Sequence, residues 1–357
     1  MLVPSVREAP WQLEPSNLAD YLRARRLVRR GEGVEVHELG GGISNAVLGY
    51  RSARACGVVK QARGRIRVAD EWYCDVRRIF NDRDAMRLLG RILPEGTVPS
   101  VIDADDENFA YTMTCAPEAA VLWKPLLLDG IVGEGLAATA GRLLAIVHGA
   151  SRSDAALEAR FVDLELLGQV RIDPYYDTTA ARNPDVAQEI QDAAKRLQTE
   201  RRALVLGDYI PKNLFALGDS DLFIVDFEIA HYGEPAYDTA SFANHLLLKA
   251  IRRPMWQDRY RQALDAFWSA YSAGLPPAER PIVERETIRQ LGCLMLARID
   301  GKSPVEYLKS DGRETARVCA KSLLTRPPVA VPDAVTRVLS ILNATDSTPT
   351  SEEPVDV

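Results

Sequence analysis

Polar and apolar residues alternate in VEVHEL at 34–39, and the short apolar-rich runs AVLGYRS at 46–52 and CGVVKQA at 56–62 follow. They predict three strands, the first pair joined by a turn at Gly40-Gly41-Gly42. A basic segment over 18–30 predicts a helix before them. From 76 to 93 the period lengthens, and Ile79, Met86 and Leu89 share one stripe of a helix. VPSVIDADDENFAYTMT, residues 98–114, predicts two more strands around an acidic turn.

Past Pro117 the pattern becomes mostly helical. EGLAATAGRLLAIVHG puts Leu136, Ala140, Leu143, Leu144 and Val147 on one face, and 185–202 is amphipathic. NLFAL and LFIVDF interrupt this as a hairpin over 213–227. Helices then run from about Asp238 to Leu342, broken at Pro254, Pro276-Pro277 and Pro327-Pro328. The expected fold class is α+β and bilobal: an antiparallel sheet lobe over 1–113, a hinge at 114–117, and a larger helical lobe over 118–343. A polar, disordered tail is expected over 344–357.

Composition narrows the function classes. A net charge of −6, with arginines spread along the chain, disfavours a nucleic-acid partner. No run approaches the roughly 18 apolar residues of a membrane span. The first residues lack the basic start and apolar run of a signal peptide. Five scattered cysteines (Cys56, Cys74, Cys115, Cys293, Cys319) without CxxC spacing argue against zinc and a disulfide framework. A reducing cytoplasm is the expected location; monomer and homodimer both stay open.

The chemistry gathers around the hairpin, in LGDYIPKNLFALGDSDLFIVDFE. If Gly218-Asp219-Ser220-Asp221 is the turn, Leu217 faces Leu222 and Asn213 falls opposite Asp226, with Cβ atoms about 4.5–5.5 Å apart. An amide oxygen and a carboxylate meeting there suit Mg²⁺, which takes one or two protein ligands and fills its shell with phosphate and water. Asp208, five residues before Asn213, would accept a proton from a hydroxyl, and Lys212 would offset the gathered charge. Upstream, Lys60 ends an apolar strand, and Asp82 lies on the inward stripe of the following helix, where a carboxylate needs a partner. The two are expected to pair, with Asp84 as the alternative. Gly301-Lys302-Ser303 fails as a P-loop, because Leu296 stands where the first glycine belongs. Asp238, three residues before Ser241, has an N-cap spacing. The four histidines look structural.

These parts together resemble the aminoglycoside phosphotransferase–choline kinase superfamily, with its protein-kinase-like fold, and most of all its methylthioribose kinase branch. The resemblance covers roughly 34–310 and rests on LGGGISNAV, VKQARGRIRVADEW, LGDYIPKNLF, VDFEIAHYGEPAYD and ARIDGKSP. It implies an ATP- and Mg²⁺-dependent kinase acting on a hydroxyl of a small molecule. Gly40, Gly41, Gly42, Ser44 and Asn45 would approach the phosphates. Lys60 would contact them, with Asp82 orienting it. Thr114, Cys115 and Ala116 would be the hinge that reads adenine. Asp208 would be the base, while Asn213 and Asp226 would hold the metal, Glu228 supporting it or a substrate hydroxyl. Trp72 would flank the site, Arg298 would lie near the transferred phosphate, and Asp238 would brace the catalytic loop.

Three departures stand out: Leu206 replaces the usual histidine, Asp82 is shorter than the usual glutamate, and one late arginine stands where two occur. The expected acceptor is a sugar such as methylthioribose. The alternative is an aminoglycoside or an amino alcohol, since 219–238 carries six carboxylates. A rival of another class is a nucleotide-binding scaffold without turnover.

Overall fold

In the computed structural model, the described residues are 11–40, 45–64 and 73–346. Gly41, Gly42, Ser44 and Trp72 lie outside them, as do residues 347–357 of the expected tail. Helix α1 (Leu18–Ala24) precedes strands β1 (Val34–Glu38), β2 (Asn45–Ser52) and β3 (Cys56–Ala62), and α2 (Arg78–Ile92) precedes β4 (Val101–Asp105) and β5 (Ala110–Met113). The five strands form one antiparallel sheet in the order β1-β2-β3-β5-β4.

Alternation along β3 decides the first part of the site. Val58 and Ala62 enter the core shared with Ile79, Met86 and Leu89 of α2, whereas Val59 packs on the opposite face with Leu18, Tyr21 and Leu22 of α1. Lys60 lies on the Val58 side and therefore faces α2. Burial of this two-sided sheet, at about 25 cal/mol per Å² of apolar area, holds a lysine where it would not otherwise remain.

The helical part begins with the short β6 (Val121–Leu122) and α3 (Trp123–Leu128), then α4 (Glu134–Ala150), α5 (Ala155–Phe161) and α6 (Leu164–Leu167). A π-helix over Gly168–Asp177 carries Pro174 and leads into α7 (Thr178–Arg182) and α8 (Ala187–Thr199). Strands β7 (Ala203–Val205), β8 (Leu214–Leu217), β9 (Asp221–Ile224) and β10 (His231–Gly233) occupy the segment over 203–233. The remaining helices are α9 (Ala236–Arg252), α10 (Gln257–Ala273), α11 (Arg280–Asp300), α12 (Ser310–Thr325) and α13 (Val331–Asp346). Thus α13 extends through Ala344, the expected start of the tail. Among the described residues, no helix is long and apolar enough to cross a membrane.

The hairpin register differs from expectation by one residue. Leu217 pairs with Asp221 and Leu214 with Ile224, so the loop is Gly218-Asp219-Ser220. Gly218, at φ +68°, supplies the left-handed step that this tighter connection needs. Asn213 therefore meets Val225, whose N–H donates to its carbonyl at 3.0 Å, and not Asp226.

Candidate active site

Asp226 reaches the site by a backbone twist. It is a non-glycine residue at φ +72°, just past the end of β9, a conformation that costs energy unless its surroundings hold it. What holds it is Lys60, whose Nζ lies 2.6 Å from Asp226 Oδ1 and 2.5 Å from Asp82 Oδ2. Asp82 is fully buried and uses its other oxygen to accept the Phe227 N–H at 2.8 Å. One carboxylate of α2 thus fixes both the strand lysine and the segment that presents Asp226. Burial pulls the Lys60 ammonium down, and Asp226 and Asp82 more than reverse this, leaving it firmly charged. Burial lifts the Asp226 carboxyl above the ordinary carboxylate range even with Lys60 beside it. Asp84 is engaged elsewhere, by Arg83 and Arg160.

Asp208 sits in the loop after β7. Gly207 before it has φ +79°, and a Cβ there would meet the Ile229 carbonyl oxygen at 2.6 Å, so only glycine fits. Asp238 holds this turn from below, accepting the N–H groups of Leu206 and Gly207 at 2.6 and 2.8 Å. Its N-cap spacing is not used as a cap: α9 starts two residues earlier, and the carboxylate is fully buried. His148 of α4 touches the same carboxylate at 3.2 Å and the Tyr271 hydroxyl at 2.9 Å. With Leu206 packed into the core, an imidazole reaches this brace from a distant helix. Asn213 closes the loop by donating its side-chain amide to the Asp208 carbonyl at 3.0 Å.

Two cations flank Asp208. Lys212 lies 3.3 Å from Oδ2, and Arg171 lies 2.5 Å from Oδ1. Burial alone would raise the Asp208 carboxyl, but Lys212 and Arg171 outweigh it and hold it below the ordinary carboxylate range. Asp208 is therefore an ionised acceptor at neutral pH. Arg171 escaped the sequence reading. It projects from the π-helix, is 3% exposed, also donates to the Gly207 carbonyl at 3.0 Å, and packs 5.0 Å from the Tyr175 ring. Its local signal was faint: one arginine in VRIDPYY, a stretch whose proline suggests a loop.

Glu228 also has neighbours that the linear pattern hid. Its Oε2 accepts from Asn45 Nδ2 at 2.7 Å and from Arg78 Nε at 3.2 Å, and Arg78 Nη2 donates to Asn45 Oδ1 at 3.2 Å. Arg78, 2% exposed, thereby ties the start of β2 to the segment after Asp226. Arg298 lines the same pocket as Asp208 and donates to the Tyr175 hydroxyl and Ser303 Oγ. At the expected hinge, the Thr114 N–H is already given to the Ser100 carbonyl at 2.9 Å. Gly40 is described at the edge of its turn, and among the described residues no atom comes within 4 Å of a would-be Cβ there.

An antiparallel sheet carrying a buried lysine, a helix carboxylate that grips it, and a helical body presenting Asp208, Asn213 and Asp226 make a kinase-like fold. The chain belongs to the phosphotransferase enzyme family, whose family model matches residues 36–281. It is 27% identical over 243 residues to a methylthioribose kinase of Geobacillus sp. (strain WCH70), a match spanning 60% of each chain. To the methylthioribose kinase of Geobacillus thermodenitrificans (strain NG80-2) it is 25% identical over 344 residues, 83% of this chain and 86% of that one. The chain spans about three fifths of the length of the first of these relatives. Among solved structures, a choline/ethanolamine kinase family protein from Mesorhizobium loti shares the fold at a TM-score of 0.51 and 18% identity, covering 92% of this chain and 99% of that one.

Proposed function

We propose that this protein transfers the γ-phosphate of ATP to a hydroxyl group of a small molecule. The observation that carries the reading is Lys60 clasped between Asp82 and Asp226, with an ionised Asp208 lining the neighbouring pocket. In this reading Lys60 meets the ATP phosphates and Asp208 receives the acceptor's hydroxyl. The acceptor oxygen bonds to the γ-phosphorus as the bond from that phosphorus to the β–γ bridging oxygen breaks. The hydroxyl proton passes to Asp208, and ADP leaves. Arg171 and Lys212 keep Asp208 ionised and aimed, so positioning and charge neutralisation supply most of the catalysis.

The donor chemistry fits a hard divalent cation. Among the described residues, Asp226 engages only Oδ1, on Lys60, and the Asn213 side chain only its N–H, on the Asp208 carbonyl, which leaves one oxygen on each. Mg²⁺ would be held by Asn213 and Asp226 and would neutralise phosphate charge when bound. Glu228, held by Arg78 and Asn45, would support the metal or a substrate hydroxyl beside that pair. The Thr114 carbonyl and the Ala116 N–H are the hinge groups assigned to adenine, since the Thr114 N–H is already used. Gly40, Gly41, Gly42 and Ser44 are assigned to the phosphates.

The relatives' name makes a sugar of the methylthioribose type the first acceptor to try. ATP consumption over a panel of sugars, amino alcohols and aminoglycosides tests the reading. Turnover should depend on Mg²⁺ and fall at least a thousandfold in Asp208→Asn, with ATP affinity within threefold of wild type. Unchanged turnover in that variant would remove Asp208 from the chemistry.

A further inference from the structure

The pocket beside Asp208 is narrow, with about 20 Å³ of water-accessible space, well below the volume of an open ligand site. Tyr175, Tyr237, Asn244, His245 and Arg298 line it together with Asp208. Asp208 is already matched by Arg171 and Lys212. Arg298 in this lining and Lys249 behind it have no carboxylate within ion-pair distance among the described residues. Arg298 donates from Nη1 to two hydroxyls, while its Nε is buried with no partner. Lys249, one turn beyond His245 on α9, is 1% exposed. Its Nζ bonds to the His245 carbonyl at 3.0 Å and sits 5.4 Å from the Tyr307 ring. The Asn244 side chain, also 1% exposed, has an unpartnered Oδ1 in the same wall.

The carboxylates of 219–238 do not offset this. Asp219 and Asp221 are exposed on the hairpin loop, Asp226 and Glu228 face Lys60 and Arg78, Glu234 faces Arg202, and Asp238 holds the catalytic turn. The pocket's wall thus holds an arginine with one unfilled donor, Nε, and a buried lysine behind it, a charge that a cationic acceptor would worsen; the Asn244 oxygen beside them is an acceptor suited to a hydroxyl.

Resting on the kinase reading above, we propose that the acceptor carries an anionic oxygen group, a carboxylate or a phosphate, in addition to the hydroxyl that Asp208 receives. Arg298 receives that group on the pocket wall, and Lys249 supplies charge behind it. Burial, with Lys124 and Arg298 nearby, pulls the Lys249 ammonium down to about 7, as expected for a cation awaiting its counter-charge.

The test is calorimetric titration of the full chain with its nucleotide site filled by a non-hydrolysable ATP analogue and Mg²⁺, so that added phosphate groups cannot occupy it. The probes are ribose, ribonate, ribose 5-phosphate and glucosamine. At least one of the two anions should bind tenfold or more tightly than ribose, and glucosamine should bind most weakly; which anion wins separates carboxylate from phosphate. Arg298→Gln and Lys249→Gln should each remove most of that preference, Arg298→Lys should fall between, and ribose affinity should stay put in Lys249→Gln, whose side chain lies behind the pocket wall. Equal affinity for neutral and anionic probes, absence of binding by all four, or a preference untouched by either variant would overturn the proposal. Failure to bind the ATP analogue at all would instead sink the kinase reading, so the two failures are separable.

Discussion

Lys249→Met is expected to stabilise the unliganded protein, in a way that depends on pH. The lysine is 1% exposed and lacks a carboxylate partner among the described residues, and burial brings its ammonium from the usual 10.5 down to about 7. The unfolded chain keeps that proton up to about 10.5, so between the two values unfolding takes up a proton and stability rises with pH. Below pH 7 the folded protein carries the whole penalty, roughly 5 kcal/mol at about 1.4 kcal/mol per pH unit of separation. Methionine fills similar volume without charge. The gain in urea-unfolding free energy should approach this limit at pH 6.5 and shrink by roughly 1.4 kcal/mol per pH unit above 7. An equal gain at pH 6.5 and 9.5, or a loss at both, would refute the reasoning. It would mean that the His245 carbonyl and the Tyr307 ring already satisfy the ammonium.

Two other substitutions probe the site's supports. Arg171→Met removes one of the cations holding Asp208 low, so the acid limb of the kcat–pH profile should move upward by about one unit or more; an unmoved limb would show that Lys212 suffices. Asp82→Ala leaves Lys60 and the Phe227 N–H without their buried partner, and breaking such a pair costs about 3–5 kcal/mol. Its melting temperature should drop by several degrees and Mg²⁺–ATP affinity at least tenfold, and retention of both would make Asp82 dispensable.

Local periodicity accounts for what the sequence by itself determined. Lys60 stood where the apolar run GVVK stops at a cation, and helical spacing put Asp82 in the stripe of Ile79, Met86 and Leu89, so their pairing was legible before any fold was known. The same holds for the sheet-then-helix order and for the D-x4-N loop, because such patterns record which side of an element is buried. Only the tertiary structure decided the hairpin register, since a three-residue loop with a left-handed Gly218 and a four-residue turn fit the same apolar strands. It also decided that Asp226 arrives by its own φ of +72°, and that Arg171, Arg78 and His148 converge from separate elements. Those partners lie 37, 150 and 90 positions from Asp208, Glu228 and Asp238. Periodicity says which way a side chain faces, but what it meets there depends on packing between elements far apart in the chain.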